Sequence, residues 1–430
     1  MSSSVSCSLR KSCPPVALAR AWLADAPTEQ QCSNWTDAEK QHALVNAPEI
    51  NFAFGRAYGT GYMRRCCLLY PEETGWHGQL LPTDATSKPL ALAMHSVLFK
   101  QFYSQLWPQL LLQNRSLVLV TAMQDNAAPW EMFNCLLHSS GKEMRQFIRN
   151  PQLRHWYTQN FDLLRSAGKR INFRSSDAFE SGCTQRIGLE PHHDSDVDPI
   201  GETDLVAKVS PIPIGIGLDC QLLPAWRAVV EAAPPLHKRR LEIAVTFSHS
   251  LMRDRRKTAL RELHSSHFIE LPYMNTSALW GSLSTFAFVA APASRGQDTF
   301  RFWEAIWLGS IPIVQAGPLD TLYAMMPCVI VSRWDGITAS RLREWRNTII
   351  ERFGPVPQQH PHVQPFLNGK ILGRMIQEGI PIPTQQRAPG QRPLRHRPRA
   401  VVNHTCNMSV GGLLASGRRE LLLGCDGLGV

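Results

Sequence analysis

A chain of 430 residues with 43% hydrophobic content exceeds what one hydrophobic core usually organises, so two packed domains with loose ends are expected. The net charge of +10 is uneven: residues 355 to 430 hold nine Lys/Arg against three Asp/Glu, which leaves +4 for the other 354 positions and argues against a nucleic-acid partner. Eleven cysteines without a CxxC pair or a Cys/His cluster argue against zinc.

Residues 1 to 45 have no clear periodicity and are expected to form a poorly ordered leader. Their one apolar run is brief and broken by Arg20, and no run near 18 apolar residues occurs anywhere, so neither a signal peptide nor a membrane anchor is visible. Five Asn-x-Ser/Thr sites, at Asn34, Asn114, Asn275, Asn403 and Asn407, would accept glycans in a secretory lumen, where Cys66 and Cys67 could each also find a disulfide partner.

The run "SLVLVTAMQDNAAPW" (116 to 130) is β-branched and leucine-rich, then turns polar before Pro129. It reads as a buried parallel strand opening into a loop, with Asp125 at the strand's carboxyl end. "LRHWYTQNF" (153 to 161) and "KVSPIPIGIGL" (208 to 218) read as short buried elements on either side of a polar loop, 174 to 205. That loop contains "HHDSDVD" (192 to 198), which lacks the glycine and terminal glutamate of a calcium loop, so no metal is assigned to it.

A helical stretch from 223 is interrupted by Pro234 and Pro235, and a domain boundary is placed near it. From 241 the pattern alternates: strand 241 to 249, the basic loop "RDRRK", then "FAFVAA", "DTFRFWEAIWLG", "SIPIVQ", "LDTLYAMM" and "PCVIVS". Alternation of this kind implies a parallel sheet with helices on its faces. "SRLREWRNTIIERFG" (340 to 354) closes it as an amphipathic helix ended by Gly354. The Pro-, Gln- and Arg-rich remainder has little to bury and is expected to be a disordered basic tail.

The helix within "SRGQDTFRFWEAIWLGSIPIV" (294 to 314) carries most of the chemistry. Asp298 or Thr299 can cap its start, and Gly309 can end it one residue before the next strand. Arg301 and Glu304, three apart, share a face, while Phe302, Trp303, Ile306 and Trp307 cover the rest. Tryptophans four apart on a helix are core residues by default, and a solvated Arg/Glu pair accounts for the charges as readily as a ligand does. The loop with Arg295 and Gly296 falls at the carboxyl end of the preceding strand, where open α/β sheets bind ligands and helix starts favour phosphate. Arginines suit a diphosphate, and a carboxylate one turn into the helix suits the hydroxyls of a ribose.

Residues 286 to 338 resemble the exostosin-like glycosyltransferases, whose pattern is close to P-x-G-x-G-x-D-x-x-R-x-W-E-A-x-x-x-G-x-I-P-I-V followed by L-Y-x-x-L-P-V-V-I-V. Asp298, Arg301, Trp303, Glu304, Ala305, Gly309, Pro312, Leu322, Tyr323, Pro327 and Trp334 match it. Upstream, "LVLVTAMQDNAAP", "HWYTQNFD" and "KVSPIPIGIGL" resemble further segments of that family, so the likeness runs in patches from about 115 to 345. Where the family has Gly-x-Gly before the Asp, this chain has "ASRGQD".

The resemblance implies an α/β protein of the GT-B fold, two Rossmann-like domains facing a cleft. On that basis residues 46 to 222 would form the acceptor-side domain, 223 to 354 the nucleotide-sugar-binding domain, and 355 to 430 the tail. Glu304 would hold the ribose, Arg295 and Arg301 would approach the diphosphate with Gly296 and Asp298 in the same loop, and the basic loop would add Arg253 or Arg256. Asp125 is the candidate base, with a plain turn residue as the alternative.

The implied activity is inverting transfer from a nucleotide diphosphate sugar, a UDP-sugar first, to a glycan or polysaccharide hydroxyl, without a metal cofactor and in the Golgi lumen. A GDP-fucose-dependent enzyme, a silent binding relative and a basic scaffold acting through its tail remain as alternatives.

Overall fold

The computed structural model describes residues 68–69, 89–122, 128–139, 141–162, 205, 207–216, 222–246, 254–263, 268–294, 296–367 and 369–381. The leader, Cys66, Cys67, Asp125, the "HHDSDVD" loop, His249, Arg253, Arg295 and the tail beyond 381 lie outside the described residues.

Two five-stranded sheets, parallel throughout, account for the described strands. The first runs in chain order: β1 (Leu68–Leu69), β2 (Leu90–His95), β3 (Leu117–Ala122), β4 (Leu153–Thr158) and β5 (Val209–Pro211). β3 is buried along its whole length, as its unbroken β-branched and leucine run requires of a central strand covered on both faces. Over this sheet Phe99, Phe133, Phe147 and Trp156 form an aromatic cluster with centroid separations of 5.3 to 6.4 Å. Phe147 belongs to α1 (Gly141–Arg149), the crossover that leads into β4.

The second half opens with α2 (Leu223–Ala232), which ends just before Pro234 and Pro235. There follow β6 (Arg240–Val245), α3 (Asp254–Leu263), β7 (Phe268–Glu270), α4 (Thr276–Leu283) and β8 (Phe286–Ala290). Next come α5 (Phe300–Trp307), β9 (Ile311–Gln315), α6 (Asp320–Tyr323), β10 (Val329–Val331) and α7 (Ala339–Phe353). Their spatial order is β10-β9-β8-β6-β7. The chain leaves β6 towards one edge and returns at β8 to build the other, so the strand order reverses between β6 and β8. A reversal of this kind separates the flanking loops and opens a crevice at the carboxyl edge.

Residues 355 to 381 correct the sequence reading, which placed them in a disordered tail. After Gly354, which ends α7 at φ 81°, come α8 (Gln364–Leu367) and α9 (Gly369–Glu378). Val363, Phe366, Leu367, Leu372 and Ile376 are buried, enough apolar area to hold the segment despite its polar, proline-containing surroundings. The segment starts beside the second sheet, where Gln358 lies against Gly309, and ends on the first. There Tyr157 of β4 donates its hydroxyl to the Ile380 carbonyl at 2.5 Å, and Gly379 packs on Val118 of β3.

The two halves are Rossmann-like α/β domains whose carboxyl edges meet, the arrangement expected of a GT-B protein. No helix among the described residues is long and apolar enough to cross a membrane.

Candidate functional site

The carboxyl edges meet where Asn160 and Ile214 on one side contact Gly296 and Asp298 on the other. Beyond β4, Gln159 and Asn160 are buried, and Asn160 takes φ 50°, a left-handed conformation that Asn tolerates better than most residues. Its Oδ1 accepts the Asp298 N–H at 2.9 Å. Gly296 packs on the same side chain so closely that a Cβ there would stand 2.6 Å from Oδ1. The glycine retained in "ASRGQD" is thus the one that close approach demands. Ser294, at the position of the missing one, is not among the described residues with positive φ, and its backbone has no need of glycine.

Asp298 fastens the two halves together. Its Oδ2 accepts the Ile214 N–H at 2.8 Å, from the extended run after β5, and the Trp303 indole N–H at 2.7 Å. Its Oδ1 accepts the Tyr323 hydroxyl and the Thr299 N–H, both at 2.8 Å. Burial raises this carboxyl to about 6, against the pull of all four donors. The matching Asp of the glycosyltransferase-like pattern is therefore a positioning residue here, with both oxygens occupied by the protein itself. The helix cap falls to Thr299, whose side chain accepts the Phe302 N–H.

Arg301 and Glu304 do share a face of α5, where they pair, Glu304 buried and Arg301 partly exposed. Arg301 Nη1 donates to Glu304 Oε2 at 2.5 Å, the Trp280 indole of α4 donates to Oε1 at 3.2 Å, and Glu304 is 8% exposed. The polar stripe meets α4, since Trp226 of α2 packs edge-on against Trp280 and Trp307 around it. Trp303 and Trp307 are core residues, as their spacing suggested.

A cavity of about 340 Å³ opens at the carboxyl edge of the second sheet, beside the strand-order reversal. Pro292 after β8, Val314 of β9 and Leu319 supply apolar wall, and Tyr323 joins it with its ring stacked on Phe302 at 4.1 Å. The cation at this cavity is Arg255, near the start of α3, which donates to Gln297 Oε1 at 3.2 Å; burial lowers its pKa. Sequence reasoning offered its neighbours Arg253 and Arg256. Three arginines in four positions cannot be told apart in the sequence, and of the two that are described Arg255 lines the cavity. Arg256, Arg301 and Glu304 are not among the residues that line this cavity.

On the first sheet, Ala122 and Ala128 flank the segment that contains Asp125. Ala128 pairs with Phe161, and Asp162 accepts the Trp130 and Glu131 N–H groups at 2.8 Å each, lacing the loops after β3 and β4 together. Burial raises the Asp162 carboxyl to about 7, against the pull of those two N–H groups, which occupy both of its oxygens. Sequence reasoning passed over it because only the tertiary contact encloses it. Trp130 is 46% exposed beside it, its ring resting on Gly141, where a Cβ would stand 3.0 Å from the indole. Among the described residues no group of His, Cys, Asp or Glu could hold a metal ion.

No protein-family model matches the chain, and no curated protein matches it in sequence. Among solved structures, an alpha1,3-fucosyltransferase is similar at 12% identity and a TM-score of 0.26, over 70% of this chain and 93% of that one. A score that low fixes no residue or activity in this chain. On its own strands and contacts, the chain is an α/β protein of two Rossmann-like halves, its carboxyl edges joined through Asp298, with a cavity lined in part by Arg255 on the second.

Proposed function

We propose that this protein is a glycosyltransferase that moves a sugar from a nucleotide diphosphate sugar to a hydroxyl of a glycan, with inversion at the anomeric carbon. The observation that carries this reading is the cavity at the carboxyl edge of the second sheet, with Arg255 in its lining. In open α/β sheets that is where a nucleotide rests, and a guanidinium suits the leaving diphosphate. A UDP-sugar is the first candidate donor and GDP-fucose the second.

In this reading the acceptor oxygen attacks the anomeric carbon as its bond to the diphosphate oxygen breaks. The electron pair leaves with the nucleotide, and the hydroxyl proton passes to a carboxylate, for which Asp125 is the candidate that the sequence offers. Arg255 stabilises the charge that develops on the diphosphate, with Arg295 and Arg253 in support. The ribose role that the resemblance implies for Glu304 requires its pair with Arg301 to open.

A second reading, a relative that binds nucleotide sugars without turnover, is favoured by that closed pair. A panel of UDP- and GDP-sugars, followed by thermal stabilisation and by release of free nucleotide, separates the two. Stabilisation with turnover supports the enzyme, and stabilisation alone supports the binder. Neither response to any donor would end both readings. Arg255→Ala is expected to weaken binding of the preferred nucleotide about tenfold or more, the scale of a hydrogen bond to a charged group.

A further inference from the structure

Gln297 is 6% exposed and lines the same cavity. A guanidinium carries only donors, so the amide oxygen must face Arg255, as the 3.2 Å contact has it, and the amide NH2 is left over. That nitrogen is buried and meets no hydrogen-bond acceptor among the described residues. A buried donor without an acceptor opposes folding, and such groups concentrate where a ligand completes them.

Resting on the reading of this cavity as the donor site, we propose that Gln297 is a ligand-binding residue whose amide N–H groups, beside Arg255, hold a phosphate oxygen of the nucleoside diphosphate. The two side chains together present donors only. A phosphate oxygen satisfies the Gln297 N–H and places its negative charge beside the Arg255 guanidinium, whereas a base carbonyl satisfies the amide without a charge to match. Pro292, Val314 and Leu319 offer the rest of the nucleotide an apolar wall.

The test uses the full chain and titrates UDP, GDP, uridine and guanosine into wild type, Gln297→Leu and Gln297→Glu, with melting curves of each ligand-free protein. Gln297→Leu is expected to weaken the better-bound diphosphate about tenfold or more while leaving the parent nucleoside unchanged. Gln297→Glu is expected to weaken it further, yet to melt no lower than wild type without ligand, because a carboxylate there pairs with Arg255 and leaves no idle donor. Equal losses for nucleoside and diphosphate would assign the contact to the base and overturn the proposal. So would unchanged affinity in both variants, or a lowered melting point in both with affinity intact, which marks a structural role. If neither diphosphate binds wild type, the glycosyltransferase reading itself fails; if one binds wild type and both variants alike, only the assignment of Gln297 does.

Discussion

At Asp298 a single carboxylate holds together four donors from both halves of the protein, and its titration should be visible in the stability of the whole. The unfolded carboxyl titrates near 3.8 and the buried one near 6, so between those values the folded protein holds the extra proton. Its contribution to stability is therefore fully present below pH 3.8 and is lost as pH rises through 6. His155 works in the opposite sense: burial, then the nearby Lys208 charge, lowers it from 6.5 to about 4, and its contribution is lost as pH falls through that range. The difference between wild type and Asp298→Asn isolates the first group. Denaturant unfolding from pH 4 to 7 should show wild type losing stability relative to the variant as pH rises, and a flat difference would remove Asp298 from the account. The spacing of Asp298 before the helix was legible in the sequence, but its partners Ile214 and Tyr323 lie 84 and 25 residues away and no local pattern links them.

At the scale of the element, α5 separates what local chemistry determines from what packing adds. Its cap, its length and its final glycine follow from local chemistry, and the structure places them as expected, with Thr299 as the cap. Gly309 takes φ 74°, and a Cβ there would stand 2.5 Å from Gln358 Oε1 and 2.9 Å from Arg239 Nη2. Arg239 is buried behind it and donates to the Leu308 carbonyl at 2.7 Å and to Ser310 Oγ at 2.8 Å, a cation placed at the helix's carboxyl end. Gly309→Ala should thus cost about 2 kcal/mol or more from conformation and crowding together, read as a fall in the denaturation midpoint with unchanged slope. What the pattern could not state was the direction of the Arg301 and Glu304 face. Helical spacing determines which residues share a face, and only the packing of α4 decides that the face meets Trp280.

Across the whole molecule, residues 355 to 381 tie the second sheet back to the first, so a chain ending at Gly354 should melt well below the full protein. It would expose Val118 and leave the Tyr157 hydroxyl without its Ile380 and Met375 acceptors, in addition to losing the buried Phe366, Leu367 and Ile376. Differential scanning calorimetry checks this, and an unchanged transition would mean that the segment contributes nothing to the fold.

By itself the sequence determined the parallel α/β class, the positions of the central strands and the ends of α5. Those features follow from hydrophobic period, caps and turn residues, which act over a few positions. The tertiary structure alone decided that Arg255 lines the cavity, that Asp298 joins the halves, that Glu304 pairs with Arg301 and Trp280 and that the early tail is core. Each of these depends on which residues distant in sequence are brought into contact, and burial and charge pairing at such contacts are properties of the assembled fold.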